Sequence, residues 1–110
     1  MIELKDHDNV VEWGKAKGIL DKATPYTQTE KFMEEAWELF DEISLLNMGS
    51  IDASENNAKM EFGDVLVTLI LVAKLKGWSM DECLSMAYAK ISKRKGKMID
   101  GVFVKADKNE

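Results

Sequence analysis

Apolar and polar residues along this chain follow the spacing of α-helices. From Lys31 onward, apolar side chains recur every three or four residues, which places them in one stripe on a helix. The stripe consists of Phe32, Ala36, Leu39, Ile43 and Leu46. A single proline and many Leu, Met, Ala, Glu and Lys residues also favour helix over strand. We therefore predict an all-α fold, a bundle-like arrangement of four helices.

Helix-breaking residues between the apolar segments determine where the predicted helices end. We expect helices over residues 8–17, 27–47, 57–76 and 79–95, most of them ended by a glycine. The fourth begins with Ser79 and Glu82 at capping-box spacing. Asp100-Gly101, a pair favoured in two-residue turns, follows between apolar residues. The tail is thus expected to form a short β-hairpin or an extended segment.

Composition narrows the class of protein. The 110 residues fit a single domain over 1–110, and so small a domain favours a homo-oligomer. The net charge of −5 argues against nucleic acid as the partner. No apolar run approaches the ~20 residues of a membrane span, and no signal-peptide core is visible. With Cys83 as the one cysteine, we expect a soluble cytoplasmic protein that binds no membrane.

Two pairs of acidic residues carry the candidate chemistry. Glu35 and Glu38 are three residues apart beside the apolar stripe, and Glu61 and Asp64 have the same spacing before an apolar run. Residues three apart share a helix face, so two facing helices would aim four carboxylates at one point. From Val65 to Ala73 the one polar residue is Thr68, so that helix is expected to be buried on nearly all sides. All-oxygen ligands suit Mg²⁺, with Mn²⁺ as a substitute.

Each signal also has a plainer interpretation. Glutamates on a helix are commonly solvated, and the acids of EFGD could simply favour a helix N-terminus. A basic cluster follows near the end of the fourth predicted helix, where cations are favoured in any case. Its alternative role is to hold phosphates from one side of that helix. This cluster consists of Lys90, Lys93 and Arg94.

At these positions the chain resembles the MazG-like nucleotide pyrophosphohydrolases of the all-α NTP pyrophosphatase superfamily. That family carries EExxE, a spacer and then ExxD. The matching residues here are Glu34, Glu35, Glu38, Glu61 and Asp64. The likeness extends to Gln28 and Lys31 and to the basic segment KISKRKGKM. Many members have an asparagine near Ser92–Arg94, and its absence leaves the sugar-recognition residues undefined.

The resemblance implies Mg²⁺-dependent hydrolysis of a (deoxy)nucleoside triphosphate to the monophosphate and pyrophosphate, by a dimer or tetramer. It implies metal ligation by Glu35, Glu38, Glu61 and Asp64. It implies catalytic roles for Glu34, Glu35 and Glu38, although the role of Glu34 is open. The implied substrate-binding residues are Gln28, Lys31, Lys90, Lys93 and Arg94.

Two other functions compete with this one. Related enzymes of the superfamily, namely dUTPase, dCTPase and phosphoribosyl-ATP pyrophosphohydrolase, would share the helices and the metal-binding acids. A non-catalytic helical module that binds a partner through its wide apolar faces would need no metal. The preferred base and sugar do not follow from the sequence.

Overall fold

A computed structural model of the chain describes residues 5–106. Within that range lie five helices and a two-stranded sheet. They are α1 His7–Ala16, α2 Ile19–Lys22, α3 Pro25–Asn47, α4 Glu55–Lys76, α5 Met80–Ile91, β1 Gly96–Ile99 and β2 Val102–Lys105. The predicted all-α class with a C-terminal hairpin is confirmed. The four-residue helix α2 was not predicted.

The long helices begin at side-chain caps. The Thr24 hydroxyl accepts from the backbone N–H of Thr27 at 3.0 Å, and Thr27 Oγ1 accepts from the Thr24 N–H at 2.9 Å. This reciprocal box starts α3 two residues before its predicted position. Ser54 caps α4 with a single bond, its hydroxyl accepting from the Asn57 N–H at 3.0 Å. Gly77 ends α4 in the left-handed conformation, at φ 71°.

The chain divides into two compact units, Met1–Ser79 and Met80–Glu110. In the first unit, α3 packs along α4, and α1 and α2 also contact α4. Its buried apolar residues are Val11, Ala58, Ile70, Leu71 and Ala73. Helix α1 approaches α4 closely at Gly14, where an added Cβ would lie 2.7 Å from the Leu71 side chain. The core of this unit therefore lies along α4.

Helix α4 is enclosed over most of its apolar segment, residues 65–73. Thr68, Ile70 and Leu71 are buried, and Leu69, at 37%, is the exposed residue of that segment. Phe62 precedes the segment and is 56% exposed, because α1, α2 and α3 cover only part of the helix surface. Among residues 5–106, no helix has the length and apolar character needed to cross a membrane.

The second unit consists of α5 and the hairpin. None of the α5 residues is buried. Strands β1 and β2 pair antiparallel, with Ile99 opposite Val102. Asp100 and Gly101 form the turn at φ 51° and 82°, as their sequence indicates. Helix α5 ends at Ile91, not at Lys95, because the chain turns there and enters β1 at Gly96.

Candidate metal centre

An acidic cluster formed by Glu35, Glu38 and Glu61 joins α3 and α4. Glu35 and Glu38 lie one turn apart on α3, and Glu61 projects from α4. Each offers one carboxylate oxygen, and these oxygens lie within 4.8 Å of one another. Negative charges at that separation repel unless a proton or a cation lies among them.

Burial makes this repulsion harder to relieve with water. Oε2 of Glu35 and Oε2 of Glu61 are buried and have no hydrogen-bond partner among the described residues. The Glu35 side chain as a whole is 13% exposed. A buried oxygen without a donor costs free energy, and carboxylate oxygens are favoured ligands of Mg²⁺ and Mn²⁺. The acidic cluster therefore fits a hard divalent cation.

The crowding also affects proton binding at Glu38. A hydrogen bond with Glu35 raises the pKa of the Glu38 carboxyl, and the negative charge of Glu35 adds to this effect. Desolvation and the charges of Glu61 and Glu34 contribute less. Since Glu38 is largely exposed, the neighbouring carboxylates, more than burial, cause the shift. Glu38 therefore holds a proton more readily than an isolated glutamate would.

One lysine lies against the acidic cluster. The Nζ atom of Lys31 is 3.3 Å from Oε1 of Glu34 and 3.3 Å from Oε1 of Glu35. Hydrogen bonds to these two carboxylates, first to Glu35, raise the pKa of Lys31. Glu34 itself is exposed and is not one of the three clustered acids. The two residues of the EE pair thus differ, because only Glu35 belongs to the cluster.

A cleft of about 420 Å³ borders the cluster. Its lining comes from α1, α2, α3 and α4. The lining residues are Trp13, Ile19, Gln28, Lys31, Glu35, Asp64, Val67, Thr68 and Leu71. Asp64 is exposed here and is not among the three clustered acids, so its role as a fourth ligand stays a prediction. Gln28 is a buried polar residue of the lining.

The basic residues predicted to bind phosphates lie in the second unit. Lys90 is in the last turn of α5, whereas Lys93 and Arg94 follow the end of that helix at Ile91. The prediction that all three lie on one side of a continuous helix was therefore wrong. The helix ends early because backbone bonds such as Arg94 N–H to the Ile91 carbonyl, 3.0 Å, form a turn. The role of Lys90, Lys93 and Arg94 in phosphate binding stays a prediction.

Sequence reasoning did not find the partner of Glu42. The backbone N–H of Ser54 donates to Oε2 of Glu42 at 3.0 Å. Glu42 follows Glu38 by four residues on α3, so the two lie on the same side of that helix. The Glu42 carboxylate instead binds the backbone of Ser54, the N-cap residue of α4. The places of Trp13 and Ile19 beside the cleft were also missed, because no local pattern links them to α3.

Comparison with known proteins identified one family. Residues 23–99 match the model of the MazG nucleotide pyrophosphohydrolase domain. The matched range includes every residue of the acidic cluster, the cleft residues of α3 and α4, and the basic residues. No curated protein and no solved structure gives a significant match to the chain.

Proposed function

The chain belongs to the MazG nucleotide pyrophosphohydrolase domain family, and from this we propose that it hydrolyses (deoxy)nucleoside triphosphates to the monophosphate and pyrophosphate with Mg²⁺. The family assignment covers hydrolysis of nucleotide anhydrides in general. The observation that carries the metal requirement is the acidic cluster, with two buried oxygens that have no hydrogen-bond partner within residues 5–106.

The proposed ligands are Glu35, Glu38 and Glu61, with Asp64 at the border of the cleft. A bound Mg²⁺ would supply neutralisation of phosphate charge and a lowered pKa of a coordinated water. Glu34 lies outside the cluster and pairs at 3.3 Å with Lys31, which lines the cleft. We propose that its carboxylate accepts a proton from the attacking water.

The cleft offers a site for the nucleotide next to these acids. Its size suits a small-molecule ligand. Gln28 presents an amide that can both donate and accept hydrogen bonds, which suits a nucleoside. Lys31 supplies a positive charge for the phosphates. From the family resemblance alone, we also propose phosphate binding by Lys90, Lys93 and Arg94.

We also propose that the protein acts as a homo-oligomer. Met33, Trp37 and Phe40 form an exposed apolar patch on α3, with exposures of 64%, 64% and 58%. The Trp37 and Phe40 rings stack at a centroid distance of 5.3 Å. A patch of large apolar side chains on a small domain favours a protein interface, and a second copy is the partner always present.

A nucleotide panel tests the proposed activity. Purified protein is incubated with ribo- and deoxynucleoside triphosphates and phosphoribosyl-ATP, with and without Mg²⁺, and pyrophosphate release is measured. Release from at least one triphosphate, lost on chelation, is the expected result. The identity of the best substrate separates a general activity from a dedicated dUTPase, dCTPase or phosphoribosyl-ATP hydrolase. No release from any nucleotide would contradict the proposal and favour a non-catalytic helical module.

A further inference from the structure

We propose that Lys31 is the internal counter-ion of the acidic cluster, and that a divalent cation binds Glu35 by displacing it. The inference rests on the proposed metal site and not on which nucleotide is hydrolysed. Among residues 5–106, Lys31 is the residue whose cationic group forms an ion pair with a member of the cluster. A metal ion and this ammonium group therefore compete for the same carboxylate.

The two oxygens of Glu35 have different surroundings. Oε1 lies 3.3 Å from the Lys31 ammonium. Oε2 is buried and has no hydrogen-bond partner among the described residues. Lys31 therefore compensates only part of the negative charge of Glu35. It provides no hydrogen bond to the unpartnered oxygen of Glu61. This partial compensation stabilises the metal-free protein but leaves a cation site to be filled.

Lys31 can leave Glu35 when a metal ion takes over the compensation of its charge. The Lys31 side chain is 48% exposed, so the released ammonium reaches water readily. Glu35 is 13% exposed, so without a replacement cation its carboxylate would be left uncompensated. Lys31 also precedes its acidic partners, which is the less favourable order for helical Lys–Glu pairs. A lysine at position 31 therefore adds little to the stability of α3 through its ion pairs within the helix.

Displacement has a consequence for the nucleotide. Lys31 lines the cleft beside Glu35 and Asp64. Once a divalent cation occupies Glu35, repulsion between the two positive charges drives the ammonium away from the carboxylate. A phosphate in the same cleft then offers Lys31 a new anionic partner. One side chain thereby compensates acid charge before binding and phosphate charge after it.

The test is Mn²⁺ binding without nucleotide, measured on the full chain by the electron paramagnetic resonance signal of the free ion at low ionic strength. Lys31→Met removes the competing charge, so we expect it to bind Mn²⁺ roughly threefold to tenfold more tightly than wild type. Its metal-free thermal midpoint should fall, because the acids lose their counter-ion. The rise in midpoint on adding Mn²⁺ should therefore be larger than in wild type.

Two variants provide controls. Lys31→Arg keeps the charge and should restore an Mn²⁺ affinity close to wild type. Lys15→Met removes a similar exposed lysine, whose ion pair is with Glu12 on α1 at 3.4 Å. It should leave the affinity unchanged. High salt should reduce the gain from Lys31→Met, since screening weakens the competition.

Equal or weaker Mn²⁺ binding by Lys31→Met would overturn the inference. If the Lys31 ammonium competes with the metal in the wild-type protein, its removal must tighten Mn²⁺ binding. Absence of Mn²⁺ binding in both wild type and Lys31→Met would overturn it as well. The nucleotide panel is a separate measurement. Turnover on the panel with unchanged Mn²⁺ affinity in Lys31→Met would contradict the exchange alone and leave the proposed function standing.

Discussion

Helix α3 has two sides with opposite chemistry. One side carries Glu35 and Glu38, which lie with Glu61 of α4 in the acidic cluster. The other side carries the apolar patch, Met33, Trp37 and Phe40. At 100° per residue the two groups lie on roughly opposite sides of the helix. The same regular backbone thus presents a charged surface toward α4 and an apolar surface toward solvent.

The two sides are incomplete in different ways. The acidic side has buried carboxylate oxygens that find no hydrogen-bond partner in the described part of the chain, and a small hard cation can satisfy them. The apolar side has large exposed side chains, which only another apolar surface can cover. Periodicity alone identifies both sides, but the chemistry of each determines its partner.

The largest effect is expected on the acidic side. Glu38→Gln removes one anionic oxygen of the cluster, and Asp64→Asn removes the carboxylate that borders the cleft. If both bind the metal, each change should lower Mg²⁺-dependent kcat/KM by about 100-fold or more, because the phosphates lose their charge neutralisation. The measurement is pyrophosphate release at saturating Mg²⁺, with circular dichroism to confirm an intact helical fold.

Glu30→Gln is the matched control for this test. Glu30 is an exposed glutamate on the same helix and is not one of the three clustered acids. Its kcat/KM should remain near wild type. Full activity in both Glu38→Gln and Asp64→Asn would show that neither carboxylate takes part in metal binding.

The next effect concerns the apolar side. Trp37→Glu places a charge in the apolar patch, where a second copy would have to bury it. We expect the variant to sediment as a smaller species than wild type at micromolar concentration. Ile51→Glu is the control, because Ile51 is 98% exposed and lies outside the patch. A wild-type protein that is already monomeric would contradict the proposed assembly.

The comparison of the two sides also shows how far sequence reasoning reached. Short-range spacing identified α3, α4 and the acid pairs, because helix periodicity and i, i+3 contacts are local properties. Lys31 stands three and four residues before Glu34 and Glu35, a spacing that allows ion pairs, but these pairs were not predicted. Helix α5 was predicted too long, because its lysines and arginine favour helix locally while the chain turns into the hairpin.

Contacts between segments that are distant in the chain could not be predicted from the sequence. The bond from the Ser54 N–H to Glu42 crosses the connection between α3 and α4, and no local pattern indicates it. Trp13 and Ile19 line the cleft only because α1 and α2 pack on α4. The exposure of Leu69 likewise depends on which surfaces of α4 are covered. Such features require the packing of whole helices, which periodicity does not specify.

A moderate loss of stability is expected when Glu42 is replaced. Glu42 lies next along the acidic side of α3, but its carboxylate accepts a hydrogen bond from the backbone of Ser54. Glu42→Ala removes the acceptor of the Ser54 N–H at the start of α4. Hydrogen bonds to charged groups contribute about 1.5–3 kcal/mol, so the free energy of unfolding should fall by that order. Urea unfolding measures it, with Asp41→Ala as the exposed neighbouring control. A loss no larger than that of Asp41→Ala would show that the bond contributes nothing.

The smallest effect is the pH dependence of the metal-free protein. The carboxylates of Glu35, Glu61 and Glu34 raise the pKa of Glu38 above its ordinary value of 4.5, with Glu35 as the main cause. The folded protein therefore binds this proton more tightly than the unfolded chain, so the stabilising contribution is present below pH 4.5 and is lost as pH rises through the raised pKa. The raised pKa of Lys31 acts far above this window, since its ordinary value is 10.5.

Glu38→Gln should remove this dependence, because glutamine has no proton to lose. In the presence of a chelator, its thermal midpoint should exceed that of wild type at neutral pH, and the difference should shrink as pH falls toward 4.5. Glu30→Gln corrects for the loss of one surface charge. Solvent screening at the exposed Glu38 keeps the shift small. A midpoint for Glu38→Gln below that of Glu30→Gln at neutral pH would mean that the carboxylates do not repel one another in the folded protein.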